Sequence, residues 1–94
     1  MDINDYNLNL LKNFYRVAKE GNISKTAEKY YTSQPAISRS IKQLEDIYSA
    51  QLFYRTLNGV ELTEKGKILF DSVEKIFSQI NQTEFMIKEQ DNLE

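Results

Sequence analysis

Cysteine and histidine are both missing from the 94 residues. The first absence excludes a disulfide framework, a thiolate metal site and a cysteine nucleophile. The second removes the commonest general base at neutral pH and the commonest zinc ligand. Glycine is scarce, and Gly21, Gly59 and Gly66 lie too far apart to form a phosphate-cradling loop. No apolar run reaches the roughly 18 residues of a membrane span. The opening Met1-Asp2-Ile3-Asn4-Asp5 is acidic and polar, unlike a secretory leader. The carboxylates are scattered over helix surfaces without a convergent pocket. These absences predict a cytoplasmic protein that is not an enzyme, with no catalytic residue, metal ligand, cofactor or membrane partner.

What is present suits one small globular domain: 40% hydrophobic and 28% charged residues. The net charge of −2 hides an asymmetry. Residues 12–42 carry Lys12, Arg16, Lys19, Lys25, Lys29, Arg39 and Lys42 against Glu20 and Glu28, a net of +5. Residues 43–94 carry five bases and ten acids, a net of −5. A basic block joined to an acidic one suggests an anion-binding face on one part and different work on the other.

With a single proline, Pro35, and three glycines, the chain reads as mostly helical. Leu10, Leu11, Phe14, Val17 and Ala18 recur at helical spacing, and Gly21 stands where a C-terminal cap belongs. A short second helix follows, capped by Asn22 or Ser24 and broken at Tyr31-Thr32. The third opens at Ser33-Gln34-Pro35, because proline is tolerated in a first turn, and runs to about Tyr48. Its stripe of Ile37, Ile41, Leu44 and Tyr48 opposes Pro35, Arg39, Lys42 and Asp46, with Ser38 at the edge. Residues 52–57 read as extended. Asn58-Gly59 predicts a type I′ turn, and Val60-Glu61-Leu62 returns. Thr63 caps a fourth helix, on which Gly66, Leu69, Val73, Ile76, Ile80, Thr83 and Ile87 follow a heptad spacing. From Glu64 to Glu89 this helix spans roughly 39 Å, more than a small body can cover. A second copy of the chain is the expected cover, with Leu69, Val73, Ile76, Phe77, Ile80 and Ile87 at the seam.

The expected fold class is therefore mainly α: a winged helix-turn-helix of three helices plus a short β-hairpin, then a long linker helix. The expected division is residues 1–62 for the first part and 63–94 for the second. Ala27 must be small where two helices cross, with Tyr30, Ile37 and Ile41 beneath. In this architecture the second helix of the pair, residues 34–48, enters the major groove of double-stranded DNA by its N-terminal end. Arg39 can give two donors to guanine, and Gln34 can pair with adenine. Ser33, Ser38 and Lys42 can reach phosphates or base edges, and free amides at the helix start can bind a phosphate oxygen. Arg55 and the wing, residues 52–62, can lie on the flanking backbone or in the minor groove.

At Phe14, Val17, Ala18 and Ala27, then through Ser33-Gln34-Pro35-Ala36-Ile37-Ser38-Arg39 and on to Ile41, Leu44-Glu45, Leu52-Phe53, Arg55, Leu62-Thr63 and Gly66, the chain resembles the N-terminal DNA-binding domain of LysR-type transcriptional regulators. The resemblance covers Leu11 to about Ile87. It implies a bacterial regulator in which Ser33, Gln34, Pro35, Ala36, Ser38, Arg39, Lys42 and Arg55 meet DNA and antiparallel linker helices pair two copies. It further implies a tetrameric full-length protein and an effector metabolite held by a C-terminal domain outside this sequence, so that the chain is expected to be a fragment or, alternatively, a naturally short relative.

The sequence departs from the family pattern at Thr26, Tyr30, Tyr31-Thr32, Tyr48-Ser49 and Gln51. Where glycine is favoured, Ser49 must accept positive φ or close the helix otherwise. Some residues keep two readings. Arg55 either meets DNA or pairs with Glu45 to hold the wing to the third helix. Lys12, Arg16, Lys25 and Lys29 read as solvated, with one or two near phosphate. Tyr30 and Tyr31 read as packing rather than as base-stacking residues. The competing function is a helical coiled-coil interaction module with no nucleic-acid role, which accounts for the heptads but not for the basic block or the wing.

Overall fold

Helix α1, Leu8–Glu20, starts where the Asn7 side chain accepts the Asn9 amide at 2.8 Å. It ends at Gly21, whose φ of 70° is cheap only for glycine. The computed structural model describes residues 7–91. The acidic opening Met1 to Asp5 therefore lies outside the described residues, as do the last three positions of the 63–94 segment. Of the two candidate caps for α2, Ile23–Lys29, Asn22 serves, accepting the Lys25 amide at 2.9 Å. Helix α3, Gln34–Tyr48, follows, then strands β1, Phe53–Thr56, and β2, Gly59–Leu62, and helix α4, Glu64–Asp91.

The apolar faces of these elements meet in one core of Leu11, Phe14, Val17, Ala27, Ile37, Ile41, Leu44, Leu52, Phe53 and Val73. Phe14 and Phe53 tilt against each other at 5.2 Å between ring centres, seating the hairpin on α1. Tyr15 stacks on Phe70 at 5.2 Å and meets the Phe77 edge at 6.0 Å, seating the start of α4 on the other side of α1. Thr26 is fully buried, and its hydroxyl donates to the Asn22 carbonyl at 2.7 Å. That local bond is why a polar residue is tolerated in the core. Ser40 is buried as well, taking a bond from Asn13 at 2.9 Å and donating to the Ala36 carbonyl at 3.2 Å.

The hairpin differs from the expected turn. The antiparallel register pairs Thr56 with Gly59, so the turn residues are Leu57 and Asn58. Neither has positive φ, which excludes type I′. Gly59 is needed for another reason. Its φ is 154°, and a Cβ there would overlap the Gly21 carbonyl oxygen. That oxygen accepts the Val60 amide at 3.0 Å, locking the wing against the end of α1. Gly59→Ala is therefore expected to destabilise the fold by about 1–2 kcal/mol, read as a lowered midpoint in denaturant unfolding.

Thr63 caps α4 as expected: its hydroxyl oxygen accepts the Gly66 amide at 3.0 Å and its proton goes to the Gln51 carbonyl at 2.7 Å. Gly66 is a close-approach position, since a Cβ would overlap the Leu52 carbonyl oxygen. Beyond Phe77 every described side chain of α4 is exposed, and the molecule is 55 Å along its longest axis. Two further expectations need correction. Tyr30 is only half-buried, because the Arg16 guanidinium lies 3.9 Å from its ring centre and keeps it at the surface. Tyr31 does not pack at all, being 98% exposed.

Candidate nucleic-acid interface

The turn between α2 and α3 is held by backbone bonds. The Thr32 amide reaches back to the Ala27 carbonyl at 2.9 Å and the Tyr31 amide to Glu28 at 3.4 Å, with Tyr31 in the left-handed region at φ 55°. This is a Schellman closure, which satisfies carbonyls at the end of a helix and reverses the chain. Ser33 then caps α3 by accepting the Ala36 amide at 3.2 Å. Pro35 falls in the first turn as its chemistry requires. Of the amides at this end, Ala36's is taken by Ser33 and Pro35 has none. The Gln34 amide therefore remains for an external acceptor, rather than the cluster of free amides expected.

Because Ile37, Ile41 and Leu44 are buried, the opposite face of α3 points outward. Ser33, Gln34, Pro35, Ser38, Arg39 and Lys42 are exposed on it and Ala36 is half-buried. Arg39 makes no ion pair among the described residues. Lys42 is joined to Asp46 at 3.0 Å, and that hydrogen bond and charge raise its pKa, so the ammonium is held charged. Both partners are well exposed. A pair of that kind is worth only about 0–1 kcal/mol and yields readily to another anion.

Ser38, Lys42 and Arg55 line one shallow cleft between α3 and the wing. Arg55 is exposed on β1 opposite Val60 and makes no ion pair among the described residues. The alternative pairing of Arg55 with Glu45 is not found. Glu45 Oε2 instead accepts the Leu52 amide at 2.8 Å, closing the chain between α3 and β1. At the end of α3, Ser49 does take positive φ, 50°, and the Ala50 amide bonds the Glu45 carbonyl at 3.0 Å. The basic residues of α1 and α2 are partly engaged within the chain. Arg16 covers Tyr30, and Lys29 pairs with Glu20 at 2.6 Å, while Lys12 and Lys25 are exposed.

The α4 stripe divides. Val73 is fully buried in the chain's own core, with Leu69 and Phe77 half-buried beside it. Ile76 is 38% exposed, Ile80 46% and Ile87 62%. Phe85 and Met86 are exposed as well, but Phe85 lies on the face of α4 opposite Ile80 and Ile87. Phe85 was missed by the heptad reading because it lies off the regular spacing.

The family model for the bacterial regulatory helix-turn-helix proteins of the lysR family matches residues 8–67. The chain belongs to the lysR family. Among its relatives, the HTH-type transcriptional regulator TfdT of Cupriavidus pinatubonensis is 37% identical over 73 residues, 78% of this chain and 32% of that protein. The HTH-type transcriptional regulator GltR of Bacillus subtilis is 40% identical over 76 residues, 81% of this chain and 26% of that protein. The chain thus spans a third or less of these relatives. The crystal structure of BenM_DBD with catB site 1 DNA matches with a TM-score of 0.82 at 31% identity, over 89% of this chain and 93% of that one. Vibrio fischeri DarR in complex with DNA matches at 0.79 and 32% identity, over 99% of this chain and 31% of that one. The lysR winged helix with its long C-terminal helix is therefore the fold of this chain. Its relatives are named as transcription regulators, which sets aside the interaction module without a nucleic-acid role. No helix among the described residues is long and apolar enough to cross a membrane.

Proposed function

We propose that this chain binds double-stranded DNA sequence-specifically and regulates transcription, with α3 in the major groove and the β1–β2 wing on the flanking backbone. The observation that carries the reading is the outward row on α3: Gln34, Ser38 and Arg39, the last with no ion pair among the described residues, on a helix whose other face is locked into the core. In this reading Gln34, Ser38 and Arg39 read base edges, while Ser33, Lys42 and Arg55 hold phosphates. Pro35 and Ala36 form the leading edge that enters the groove. Residues 1–62 are the DNA-binding unit and 63–94 the pairing helix, whose first turns are shared because Val73 belongs to the core. Two copies pair through Ile76, Ile80 and Ile87, with Leu69 and Phe77 at the margin, presenting two α3 helices to a partly palindromic site. Such a regulator is not an enzyme and works in the cytoplasm. In a full-length protein of this kind the effector metabolite binds a C-terminal domain and the assembly is a tetramer.

The test is a binding titration across salt on duplexes selected from a random pool. Each phosphate contact releases counterions, so affinity is expected to fall steeply, with a log–log slope of about −0.9 per contact. The selected sites should be partly palindromic. Binding that ignored both salt and sequence would reject the reading.

A further inference from the structure

Tyr31 stands at the position of a Schellman closure where glycine is favoured, because a side chain at positive φ crowds its own backbone. The ring covers no core: it is 98% exposed. Neither the backbone nor the packing is served by a large aromatic residue here. A strained residue that folding does not require points to function. Its location says which function. Tyr31 is held rigidly by the Thr32-to-Ala27 bond and stands just before Ser33 and Gln34, at the end of α3 proposed to enter the groove. Thr32 beside it is exposed as well. Residues that precede such a helix lie over the rim of the groove, where the strand backbone runs.

We propose that Tyr31 is a further DNA-contacting residue, its ring against a deoxyribose and its hydroxyl donating to a phosphate oxygen at the groove rim. The proposal rests on the DNA-binding reading above and adds to it a contact that positions the helix without reading sequence. A phenol is suited to this. It offers a flat apolar face to the sugar and a donor to the phosphate, and few rotatable bonds are lost when it is ordered.

Tyr31→Asn and Tyr31→Phe separate the parts of the contact. Asparagine tolerates positive φ, so Tyr31→Asn keeps the turn and removes the ring. Its melting temperature is expected at or above that of the unaltered chain. Its affinity should fall about threefold to tenfold, equally on the best selected duplex and on a scrambled one. Tyr31→Phe should lose only the hydroxyl's share, about threefold. Ser49→Asn relaxes the same backbone conformation at the other end of α3 and should leave affinity unchanged. Affinity of Tyr31→Asn within twofold of the unaltered chain would overturn the proposal while leaving the DNA-binding reading intact. So would a loss confined to the best duplex, which would mean base reading. If the unaltered chain bound no duplex at all, both would fall.

Discussion

Ile80→Asp is expected to yield a folded monomer that binds paired half-sites at least about a hundredfold more weakly than the parent. Ile80 lies on α4 past the point where the chain's own core ends, and it is 46% exposed. Within one chain a carboxylate there meets water, so helical content by circular dichroism should be kept. Across a dimer seam the same carboxylate would be buried among Ile76, Ile87 and their counterparts with no cation to pair it, which an apolar interface does not tolerate. The affinity loss follows from the lost second foothold, because tethering two α3 helices makes the second contact effectively intramolecular. A duplex with a single half-site should therefore be bound almost as before. Sedimentation of Ile80→Asp as an intact dimer would refute the seam. Val73→Asp is not a substitute, because Val73 is fully buried and its loss would damage the fold itself.

Arg39→Ala is expected to weaken binding to the best duplex by about 1–3 kcal/mol and to relax discrimination at one base pair. The side chain is exposed, with no ion pair among the described residues. Its removal therefore leaves the fold unchanged, and the loss reports DNA contact directly. Lys42→Ala makes the contrast. Its partner Asp46 is exposed, and the loss should be smaller and equal across sequences, with the salt slope reduced by about one. Selection of bound fragments from a random pool with each variant distinguishes the two patterns. Unchanged affinity and unchanged base preference for Arg39→Ala would remove it from the reading.

The outward row on α3 was legible from the chain because burial follows helical period: Ile37, Ile41 and Leu44 inward place Arg39 and Lys42 outward. The caps were legible for the same reason. Ser33, Thr63 and Gly21 act on amides or carbonyls within four residues of themselves. Tyr31 was misread as packing because an aromatic residue near an apolar stripe reads as core. Only its place just past the end of a seven-residue helix hinted that the side chain would point away.

Periodicity and end-capping are short-range chemistry, and they were enough to specify four helices, a wing and the face turned toward a ligand. Long-range contact settled the remainder. The hairpin turn shifted to Leu57-Asn58 because Gly59 had to approach Gly21, which no local turn preference records. Glu45 bonded the Leu52 amide rather than Arg55, since a backbone donor at a chain reversal was nearer than a guanidinium on the wing. The heptad stripe is uniform along the chain, but Tyr15, which meets Phe70 and Phe77, and the core that holds Val73 reach only its first turns. Where that covering body stops is a matter of three-dimensional packing, and it separates the buried Val73 from the exposed Ile80.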